Sequence, residues 1–371
     1  MKVVLTMSFA ERLGGAERVL WTVLRGLDRS RVEPVAVFFG SGPFVEEVEA
    51  LGVRTYVVPV GRFRQVGTGL AAVGRLARIL RAEHPDLVLN FILKTQLYGA
   101  PAAVLAGLRR RVVWWQHDVP GRQWMDRVAT LLPARAVIAS SEAAAAAQAR
   151  YRPRRRTLAV APGVQTPPTA SAAQLDELRA SLGIPAGRTV VGIVGRLQRW
   201  KGQHRFLEAV ALLRDAGHDV HALVVGGGQH GIEPEYEEEV RRRAGELGLE
   251  GAVTFTGQVP DAGRHLQLMD VSVNASEPEP FGLVLLESMA VGVPVVAVDA
   301  AGPAEILDGG RCGVLVPSGA PGDLARGVGR LLAHPELRSE LAERGRERYA
   351  ERYTEERMVA QLERRLRELA A

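Results

Sequence analysis

The stretch Glu279–Glu287, which reads EPFGLVLLE, is the most informative part of the chain. It places two carboxylates at the ends of an apolar run, with Pro280 and Gly282 close behind the first of them. Proline suits the first position of a helix, so we predict a helix that begins at Pro280 and is buried on all sides. Glu279 then stands beside the free N–H groups of the helix N-terminus, where an anion is favoured.

Two interpretations of this pair of acids are open on spacing alone. Glu287 lies about two helical turns beyond Glu279, and a glutamate is seldom buried without a partner. In the functional interpretation Glu287 accepts hydrogen bonds from a pair of ligand hydroxyls. In the alternative, Glu279 is a solvated loop acid and Glu287 pairs with an arginine. The remainder of the chain has to decide between them.

Length and composition predict a globular protein of two domains. The chain has 371 residues, of which 47% are hydrophobic and 24% are charged. No apolar run reaches the roughly 18 residues of a membrane span, and the N-terminal sequence MKVVLTMSF has the pattern of a strand, not of a signal peptide. Cys312 is the single cysteine, which excludes an internal disulfide. These features predict a cytoplasmic protein.

Charge is divided unevenly along the chain, whose net charge is +5. Residues 1–165 carry 24 Lys and Arg against 12 Asp and Glu, or +12, whereas residues 166–371 carry 23 against 30, or −7. We predict a peripheral contact of the basic half with an anionic membrane surface or an acidic acceptor; the alternative is an arginine-rich chain with no such partner. Nucleic acid is not an expected partner, because the clusters lack interleaved aromatic residues. The basic clusters are Arg62 and Arg64; Arg75, Arg78 and Arg81; Arg109, Arg110 and Arg111; and Arg150 to Arg156.

Short β-branched runs alternate with helical segments along the chain, and this pattern predicts an α/β fold with parallel sheets covered by helices on both faces. Proline, serine and alanine residues at 162–173 mark a linker, so we expect two doubly wound, Rossmann-like domains over residues 1–165 and 166–371. The predicted strands lie near 2–7, 34–39, 54–59, 86–91, 111–116, 135–139 and 157–161, and then near 189–194, 219–225, 252–256, 270–275, 294–298 and 312–316.

Four motifs follow predicted strands, and open α/β sheets bind ligands beyond the carboxyl ends of their strands. We therefore expect the ligand in a cleft between the two domains. The motifs are Gly14-Gly15, the run 114–118 (WWQHD), the run 195–202 (GRLQRWKG) and Glu279–Glu287.

Lys201 attracts attention through composition, because only Lys2, Lys94 and Lys201 among the 47 basic residues are lysines. A compact ammonium there, with Arg196 five residues earlier in a glycine-bounded loop, would neutralise a diphosphate. Both groups would then stabilise a leaving group whose negative charge grows as its bond breaks. The alternative is a pair of solvated loop cations.

Gly14 and Gly15 would let the backbone approach an anion at a helix N-terminus, although the dinucleotide fingerprint G-x-G-x-x-G does not follow the first strand. His117 ends a strand on the side of the expected ligand, and a structural or a functional role is equally open. The run 226–228 of three glycines suits either close backbone approach or an ordinary loop. No cluster of His, Cys and Asp has metal-site spacing, so we predict neither a metal nor another cofactor.

Together these residues resemble the retaining, nucleotide-sugar-dependent glycosyltransferases of family 4, which have the GT-B fold of two Rossmann-like domains. The resemblance covers essentially the whole chain and rests on the E-x7-E motif and on the G-R-L-x-x-x-K-G segment. It implies that Glu279 contacts hydroxyls of the donor sugar and that Glu287 holds the ribose hydroxyls. Arg196 and Lys201 would bind the donor diphosphate.

The resemblance also implies further donor contacts. Gly15 would present its backbone N–H to the phosphate or the acceptor, and His117 would lie near the donor sugar. Backbone N–H groups of Phe281, Gly282 and Leu283 would hold sugar hydroxyls and phosphate. The predicted catalytic residues are thus Glu279, Lys201, Arg196 and His117.

The implied activity is a metal-independent transfer of a hexose-type sugar, with retention, from a UDP- or GDP-linked donor to a hydroxyl acceptor in glycan, glycolipid or small-metabolite biosynthesis. A nucleotide-sugar epimerase of the same fold and a non-catalytic nucleotide-sugar or membrane-binding protein are the alternatives. The family also places the last helix, here about 354–370, back across the first domain. One departure is visible, because the family often has two glycines where this chain reads Ala301-Gly302; a site role for Glu305 is therefore left open.

Overall fold

The chain folds into two compact units. The first consists of Met1–Gly163 together with Glu355–Ala371, and the second of Val164–Thr354. The computed structural model describes residues 1–11, 14–61, 66–118, 120, 124–228 and 233–371, except the side chain of Val66. The predicted loop positions Arg62 and Arg64 lie outside the described residues.

A seven-stranded parallel sheet forms the centre of the first unit within the described residues, in the order β3-β2-β1-β4-β5-β6-β7. Its strands are rich in Val, Leu, Ile and Ala and are mostly buried on both faces, as expected where helices cover a parallel sheet. In the register, Val4 of the first strand along the chain lies between Val35 and Val88. The strands are β1 (Lys2–Met7), β2 (Glu33–Phe38), β3 (Arg54–Val57), β4 (Leu87–Phe91), β5 (Val112–Gln116), β6 (Ala136–Ala139) and β7 (Arg156–Ala159).

Helices cover both faces of this sheet. On one face, α1 buries Leu20 and Leu24 against the strands, and on the other α3 buries Leu76 and Leu80. Among the described residues of α3, the large apolar side chains other than that of Leu70 at its start are buried or half-buried, so most of the apolar side of this helix belongs to the core. The helices are α1 (Gly15–Gly26), α2 (Pro43–Ala50), α3 (Val66–Glu83), α4 (Ile92–Leu105), α5 (Trp124–Leu131) and α6 (Glu142–Tyr151).

The second unit has a six-stranded parallel sheet in its described part, in the order β10-β9-β8-β11-β12-β13. Its first strand, β8, lies between β9 and β11, so the chain builds the sheet outward in both directions from this point. A core of Val, Leu, Ile and Phe side chains packs the helices onto the strands. The strands are β8 (Thr189–Val194), β9 (Val220–Val225), β10 (Val253–Phe255), β11 (Val271–Asn274), β12 (Val295–Val298) and β13 (Val314–Val316).

The helices of the second unit begin at the end of the predicted linker. Ser171 caps the first of them, and its hydroxyl accepts from the N–H of Gln174 while the Gln174 side chain accepts from the N–H of Ser171. The helices are α7 (Ala172–Ser181), α8 (Gln203–Asp215), α9 (Tyr236–Glu246), α10 (Gly263–Gln267), α11 (Leu283–Ala290), α12 (Ala301–Ile306), α13 (Pro321–Ala333) and α14 (Pro335–Arg352).

The C-terminal helix α15 (Glu355–Ala370) belongs to the first unit and packs on α1. Its buried stripe recurs every three to four residues, at Met358, Leu362, Leu366 and Leu369, and joins the core of that unit. The division of the chain after Gly163 lies two residues before the boundary expected from the sequence. The predicted α/β class with two parallel, doubly wound sheets is confirmed. Among the described residues, every helix is too short or too polar to span a bilayer.

Candidate functional site

The neighbouring strands β8 and β11 define the point from which the second sheet grows in opposite directions. At such a switch point the loops leaving the two strands diverge, and the gap between them is the usual ligand position in open α/β sheets. The loop after β8 carries the run 195–202, and the loop after β11 carries Glu279. The fold therefore brings together two motifs that are about 80 residues apart in the sequence.

The loop after β8 is compact because two glycines allow it to turn sharply. Gly202 has a φ of 75°, and a Cβ there would lie 2.6 Å from the carbonyl oxygen of Ala275. The side-chain amide of Gln203 donates to the carbonyl of Arg196 at 2.8 Å, which ties the start of the loop to the beginning of α8. Arg196 itself is half-buried. The loop thus has a fixed course from which the side chains of Arg196 and Lys201 project.

Lys201 and Glu279 form an ion pair, with the ammonium 2.7 Å from Oε2 of the carboxylate. Their side chains are 18% and 6% exposed, so neither is a solvated loop residue. Asn274, the last residue of β11, donates a long hydrogen bond of 3.5 Å to the same oxygen and accepts from the N–H of Ser276 at 3.2 Å. Burial of two charges requires such close pairing, since removal of one partner leaves the other uncompensated. The sequence placed each residue on a ligand and did not predict that they contact each other.

The helix after Glu279 begins later than predicted. Pro280 does not start it, because Gly282, at a φ of 106° and a ψ of 62°, occupies the N-cap position and α11 runs from Leu283. A left-handed residue interrupts a helix, and glycine adopts that conformation without strain. Glu279 consequently precedes the helix by one turn of loop. Glu287 lies in the second turn of α11 and is 7% exposed.

The backbone of Phe281 packs against Gly302 of α12. A Cβ on Gly302 would lie 2.4 Å from the carbonyl oxygen of Phe281 and 2.5 Å from its Cα, so only glycine permits this contact. The Phe281 ring is 5% exposed and lies edge-on against Tyr353, with centroids 6.4 Å apart. Leu283 is half-buried. The first of the two family glycines is absent here, but the one that is present has a defined packing role.

The glycine run 226–228 approaches protein backbone. A Cβ on Gly226 would lie 2.1 Å from the carbonyl oxygen of Gly195, and Leu197 donates its N–H to the carbonyl of Gly227 at 3.0 Å. The close approach predicted from the sequence is therefore made between the loops after β8 and β9. This contact fixes the start of the loop after β8.

In the first unit, Gly15 is exposed and is the first residue of α1, with Gly14 at the N-cap. A Cβ on Gly14 would lie 2.4 Å from Oε2 of Glu17, whose side chain is 6% exposed. A carboxylate of the protein itself thus lies over the helix N-terminus that was predicted to receive an anion. A ligand anion at the positive end of the α1 dipole would therefore have the Glu17 carboxylate as a neighbour.

His117 follows β5 and is held by aromatic contacts. Its ring stacks on Phe91 and on Trp115 at centroid distances of 5.5 and 5.2 Å, and Ser140 Oγ lies 3.4 Å from its Nδ1. Burial away from water disfavours the imidazolium and lowers the pKa of His117 to about 3. Its Nε2 is buried and has no hydrogen-bond partner among the described residues. The imidazole is therefore neutral at physiological pH and keeps one polar atom unused.

Metal binding has no candidate in the described part of the chain, where no three His, Cys, Asp or Glu side chains are grouped so as to hold an ion. Independence from metals remains a prediction. From the sequence we expect the loops of the first unit near 8–14, 61–67 and 117–124 to select the acceptor, and each of them includes residues outside the described ranges.

Three residues of this region have a role that the sequence did not predict: Trp200, Asn274 and Gly302. Asn274 had a recognisable signal, because it is a polar residue at the very end of a buried strand. Gly302 was noticed only as a departure from a glycine pair. Trp200 had no signal, since its contact with the neighbouring lysine depends on the shape of the turn.

Comparison with known proteins agrees with this geometry. The model of the family described as Glycosyltransferase Family 4 matches residues 13–166, and that described as Glycosyl transferases group 1 matches residues 174–348. The two matches cover most of both units and meet at the linker.

Two curated relatives match part of the chain. The lipopolysaccharide core biosynthesis glycosyltransferase LpsE of Rhizobium meliloti is 36% identical over 48% of this chain and 49% of its own. The D-inositol 3-phosphate glycosyltransferase of Corynebacterium jeikeium is 38% identical over 44% of this chain and 40% of its own. The chain thus spans about half, or less, of the length of these relatives.

A solved structure matches over the full length. HepE from Anabaena, crystallised with UDP and glucose, is 28% identical, with a TM-score of 0.87, and the match covers 99% of this chain and 100% of that one. It has also been crystallised with UDP-glucose. The two family models, the two parallel sheets and the motifs at the switch point all indicate the same family. The chain therefore belongs to the GT-B glycosyltransferases of group 1 and family 4, a family of transferase enzymes.

Proposed function

We propose that the protein transfers a hexose-type sugar, with retention and without a metal ion, from a UDP- or GDP-linked nucleotide-sugar to a hydroxyl acceptor. The observation that carries this proposal is the largely buried ion pair of Lys201 and Glu279 at the switch point of the second sheet. A cation and an anion at one strand edge match a donor with a charged diphosphate at one end and hydroxyl groups at the other.

The diphosphate is the first part of the donor to be placed. Lys201 and Arg196 leave the same loop, and the N-terminus of α11 begins one turn after Glu279. Two cations and the positive end of a helix dipole favour an anion in this space. As the glycosidic bond breaks, negative charge grows on the diphosphate, so the same groups stabilise the transition state more than the bound donor.

Glu279 would bind the hydroxyls of the donor sugar, and Glu287 would bind those of the ribose. Glu279 precedes α11, whereas Glu287 lies in its second turn, about 6 Å further along the axis than Leu283 at 1.5 Å per residue. Two carboxylates at different depths suit the two ends of an elongated nucleotide-sugar. A pair of acids flanking one bond, as in glycosidases, would have to converge on a single carbon.

The proposed reaction balances without a protein acid or base. The acceptor oxygen bonds to the anomeric carbon on the face from which the diphosphate departs, and its proton passes to the departing phosphate oxygen. Configuration is thereby retained. The neutral imidazole of His117 would donate or accept a hydrogen bond at the sugar without adding charge.

The crystal structures of HepE with UDP and with UDP-glucose make uridine nucleotides the first donors to test. Thermal unfolding should be followed with UDP, GDP, ADP and dTDP and with their glucose and mannose derivatives. A true ligand at a hundredfold excess over its Kd adds about 2.7 kcal/mol of stability. If no member of the panel shifts the Tm, the proposed donor class is wrong.

The same panel separates the alternatives. A transferase releases nucleotide in proportion to added hydroxyl acceptor, with turnover unchanged by EDTA. An epimerase interconverts nucleotide-sugars with no acceptor present. Binding without either reaction, across sugar, inositol and aminocyclitol acceptors, would favour a non-catalytic protein.

An anionic membrane surface is a proposed partner of the first unit. Leu105 at the end of α4 and Leu131 at the end of α5 are 56% and 70% exposed. Arg81 donates to the carbonyl of Leu105, and Arg152 donates to that of Leu131 at 3.0 Å. Arginines thus lie beside exposed leucines, which is the composition that binds anionic interfaces.

This surface, Leu105 and Leu131 with their arginines, lies at the amino end of the first sheet, because α4 and α5 run opposite to the strands. Sedimentation with vesicles containing anionic lipid at low salt should retain the protein, and Leu131→Ser with Leu105→Ser should release it. Leu212→Ser, which replaces an exposed leucine of the second unit, is the matched control. Equal sedimentation of all three with neutral and anionic vesicles would contradict the proposal.

A further inference from the structure

The ammonium of Lys201 has a second neighbour besides Glu279. It lies 4.0 Å from the centre of the Trp200 indole ring, well within the range of a cation–π interaction. The lysine is therefore held between a carboxylate oxygen at 2.7 Å and an aromatic face. Trp200 was not singled out by the sequence, and the proposed function gives it no role.

The indole ring is itself anchored. Its Nε1 donates to Oε1 of Gln198 at 3.0 Å, and the Trp200 carbonyl accepts from the N–H of Glu277 at 2.8 Å. Gln198 is 5% exposed. The second of these bonds joins the loop after β8 to the loop after β11, so the ring keeps its position relative to both Lys201 and Glu279.

The neighbouring cations are committed elsewhere. Arg199 pairs with Glu239, with Nη1 2.7 Å from Oε1, and Arg205 pairs with Glu277 at 2.7 Å and donates to the carbonyl of Ala275. The Arg199 pair fastens the loop after β8 to α9, and the Arg205 bonds fasten α8 to the loop after β11.

The two neighbours of Lys201 respond differently when a donor binds. In the proposed function, Glu279 binds the sugar hydroxyls while the ammonium pairs with the diphosphate, so the contact between Lys201 and Glu279 weakens. An aromatic face attracts a cation without a directional hydrogen bond and accepts no hydrogen bond that a ligand also needs. The indole can therefore keep the ammonium in place while the carboxylate is engaged by the sugar.

We propose that Trp200 is a positioning residue that holds Lys201 over its indole face, so that the ammonium stays aligned on the donor diphosphate when Glu279 binds the sugar. This inference rests on the proposed function. Trp200 acts through Lys201 and need not touch the donor. The indole face would restrict the flexible side chain of Lys201, one of only three lysines among the 47 basic residues.

Three variants at position 200 test the proposal. Trp200→Phe and Trp200→Tyr keep an aromatic face, whereas Trp200→Leu keeps an apolar side chain without one. We expect kcat/KM for the donor to fall about tenfold in Trp200→Leu and about threefold or less in the aromatic variants, the scale of one cation–π contact. A space-filling role alone would rank Leu with Phe, and that result would overturn the proposal.

A second measurement is independent of side-chain volume. Tryptophan with one to four ring fluorines, introduced only at position 200 by nonsense suppression, weakens the negative face of the ring stepwise at nearly constant shape. The logarithm of kcat/KM should fall linearly with fluorine number, and a flat series would overturn the proposal. If the wild-type protein neither binds a nucleotide diphosphate nor turns over, the proposed function fails; if it does both while the series is flat, only the role of Trp200 fails.

Discussion

The carboxyl ends of the two sheets are chemically unlike. In the second unit the strand ends bring opposite charges into contact, with Lys201 2.7 Å from Glu279. In the first unit the end of β5 carries His117 stacked on Phe91 and Trp115, with no ionic partner among the described residues, although the carboxylate of Glu17 lies over the N-terminus of α1. The charged edge, at the ends of β8 and β11, suits a diphosphate, and the neutral edge, which is only the end of β5, suits a neutral group such as a hydroxyl. The same parallel-sheet architecture therefore supports two kinds of chemistry.

The two edges have different structural requirements. Burying an ion pair requires close geometry, which glycines and loop-to-loop hydrogen bonds supply in the second unit. Burying a histidine requires only that it remain neutral, which desolvation ensures. Substitutions at the two edges should consequently differ in size and in kind.

The largest effects are expected at the charged edge. Glu279→Ala and Lys201→Ala should each lower turnover about a hundredfold or more, the scale of losing one preorganised electrostatic contact. Glu277→Gln, which replaces a half-exposed acid of the same loop, is the control and should be near wild type. Steady-state rates of nucleotide release provide the measurement.

Loss of folding is separated from loss of chemistry by the double variant Lys201→Ala with Glu279→Ala. Each single variant leaves one buried charge unpaired and is destabilised, whereas the double variant removes both charges and should recover part of the stability. Turnover should stay low in all three. Near-wild-type turnover in either single variant would exclude that residue from catalysis.

A smaller effect is expected from packing beneath the charged edge. Gly302→Ala forces a Cβ against the Phe281 backbone, so the loop that carries Glu279 must shift. We expect a loss of about 1–3 kcal/mol in unfolding free energy and about tenfold in turnover. The control is Gly74→Ala in α3, where a Cβ meets nothing within 4 Å. Equal behaviour of the two variants in chemical denaturation would refute the packing role of Gly302.

At the neutral edge, replacement of His117 by Phe keeps the stacking and removes the polar atoms. Turnover should fall about tenfold or more if Nε2 binds a sugar hydroxyl in the transition state. Because the pKa of His117 is lowered to about 3, wild-type and variant profiles of turnover should have the same shape between pH 5.5 and 8. An inflection near pH 6.5 that vanishes in His117→Phe would show that the imidazole titrates and is not desolvated.

A further effect concerns stability in acid. The folded-state pKa of His117 lies below its unfolded value of about 6.5, so as the pH falls from 6.5 toward 3 the unfolded chain binds the proton first and the folded state loses stability. His117→Phe lacks this term. Between pH 7 and pH 4.5 the wild type should therefore lose more unfolding free energy than His117→Phe. An equal loss in the two proteins would contradict the burial of the imidazole.

Much of the fold was predictable because parallel strands that are buried on both faces have continuous apolar sequences. β1 and β8 were predicted at their observed bounds, and each other strand was found within two residues at each end. The start of α11 was not predictable in the same way. Pro280 is a good first residue of a helix, but Gly282 adopts a left-handed conformation, and local sequence does not reveal which tendency prevails.

The sequence predicted which residues would belong to the candidate site, but it did not predict which of them contact each other. Lys201 and Glu279 were selected for their chemistry and their positions after strands, yet their ion pair joins residues 78 apart in the chain. The contact of Trp200 with Lys201 depends on a short 3₁₀ turn at Arg199–Lys201. Such contacts follow from the packing of strand-end loops, which a strand pattern does not encode.

The most direct test of the charged edge is calorimetric titration of the nucleotide diphosphate, with and without its sugar, into wild type, Lys201→Ala and Glu279→Ala. Lys201 is assigned to the diphosphate and Glu279 to the sugar. Lys201→Ala should therefore weaken both ligands about tenfold or more, whereas Glu279→Ala should weaken the nucleotide-sugar and leave the bare nucleotide within about threefold of wild type. Equal losses for both ligands in Glu279→Ala, or unchanged binding in Lys201→Ala, would contradict the assignment of the two ends of the donor.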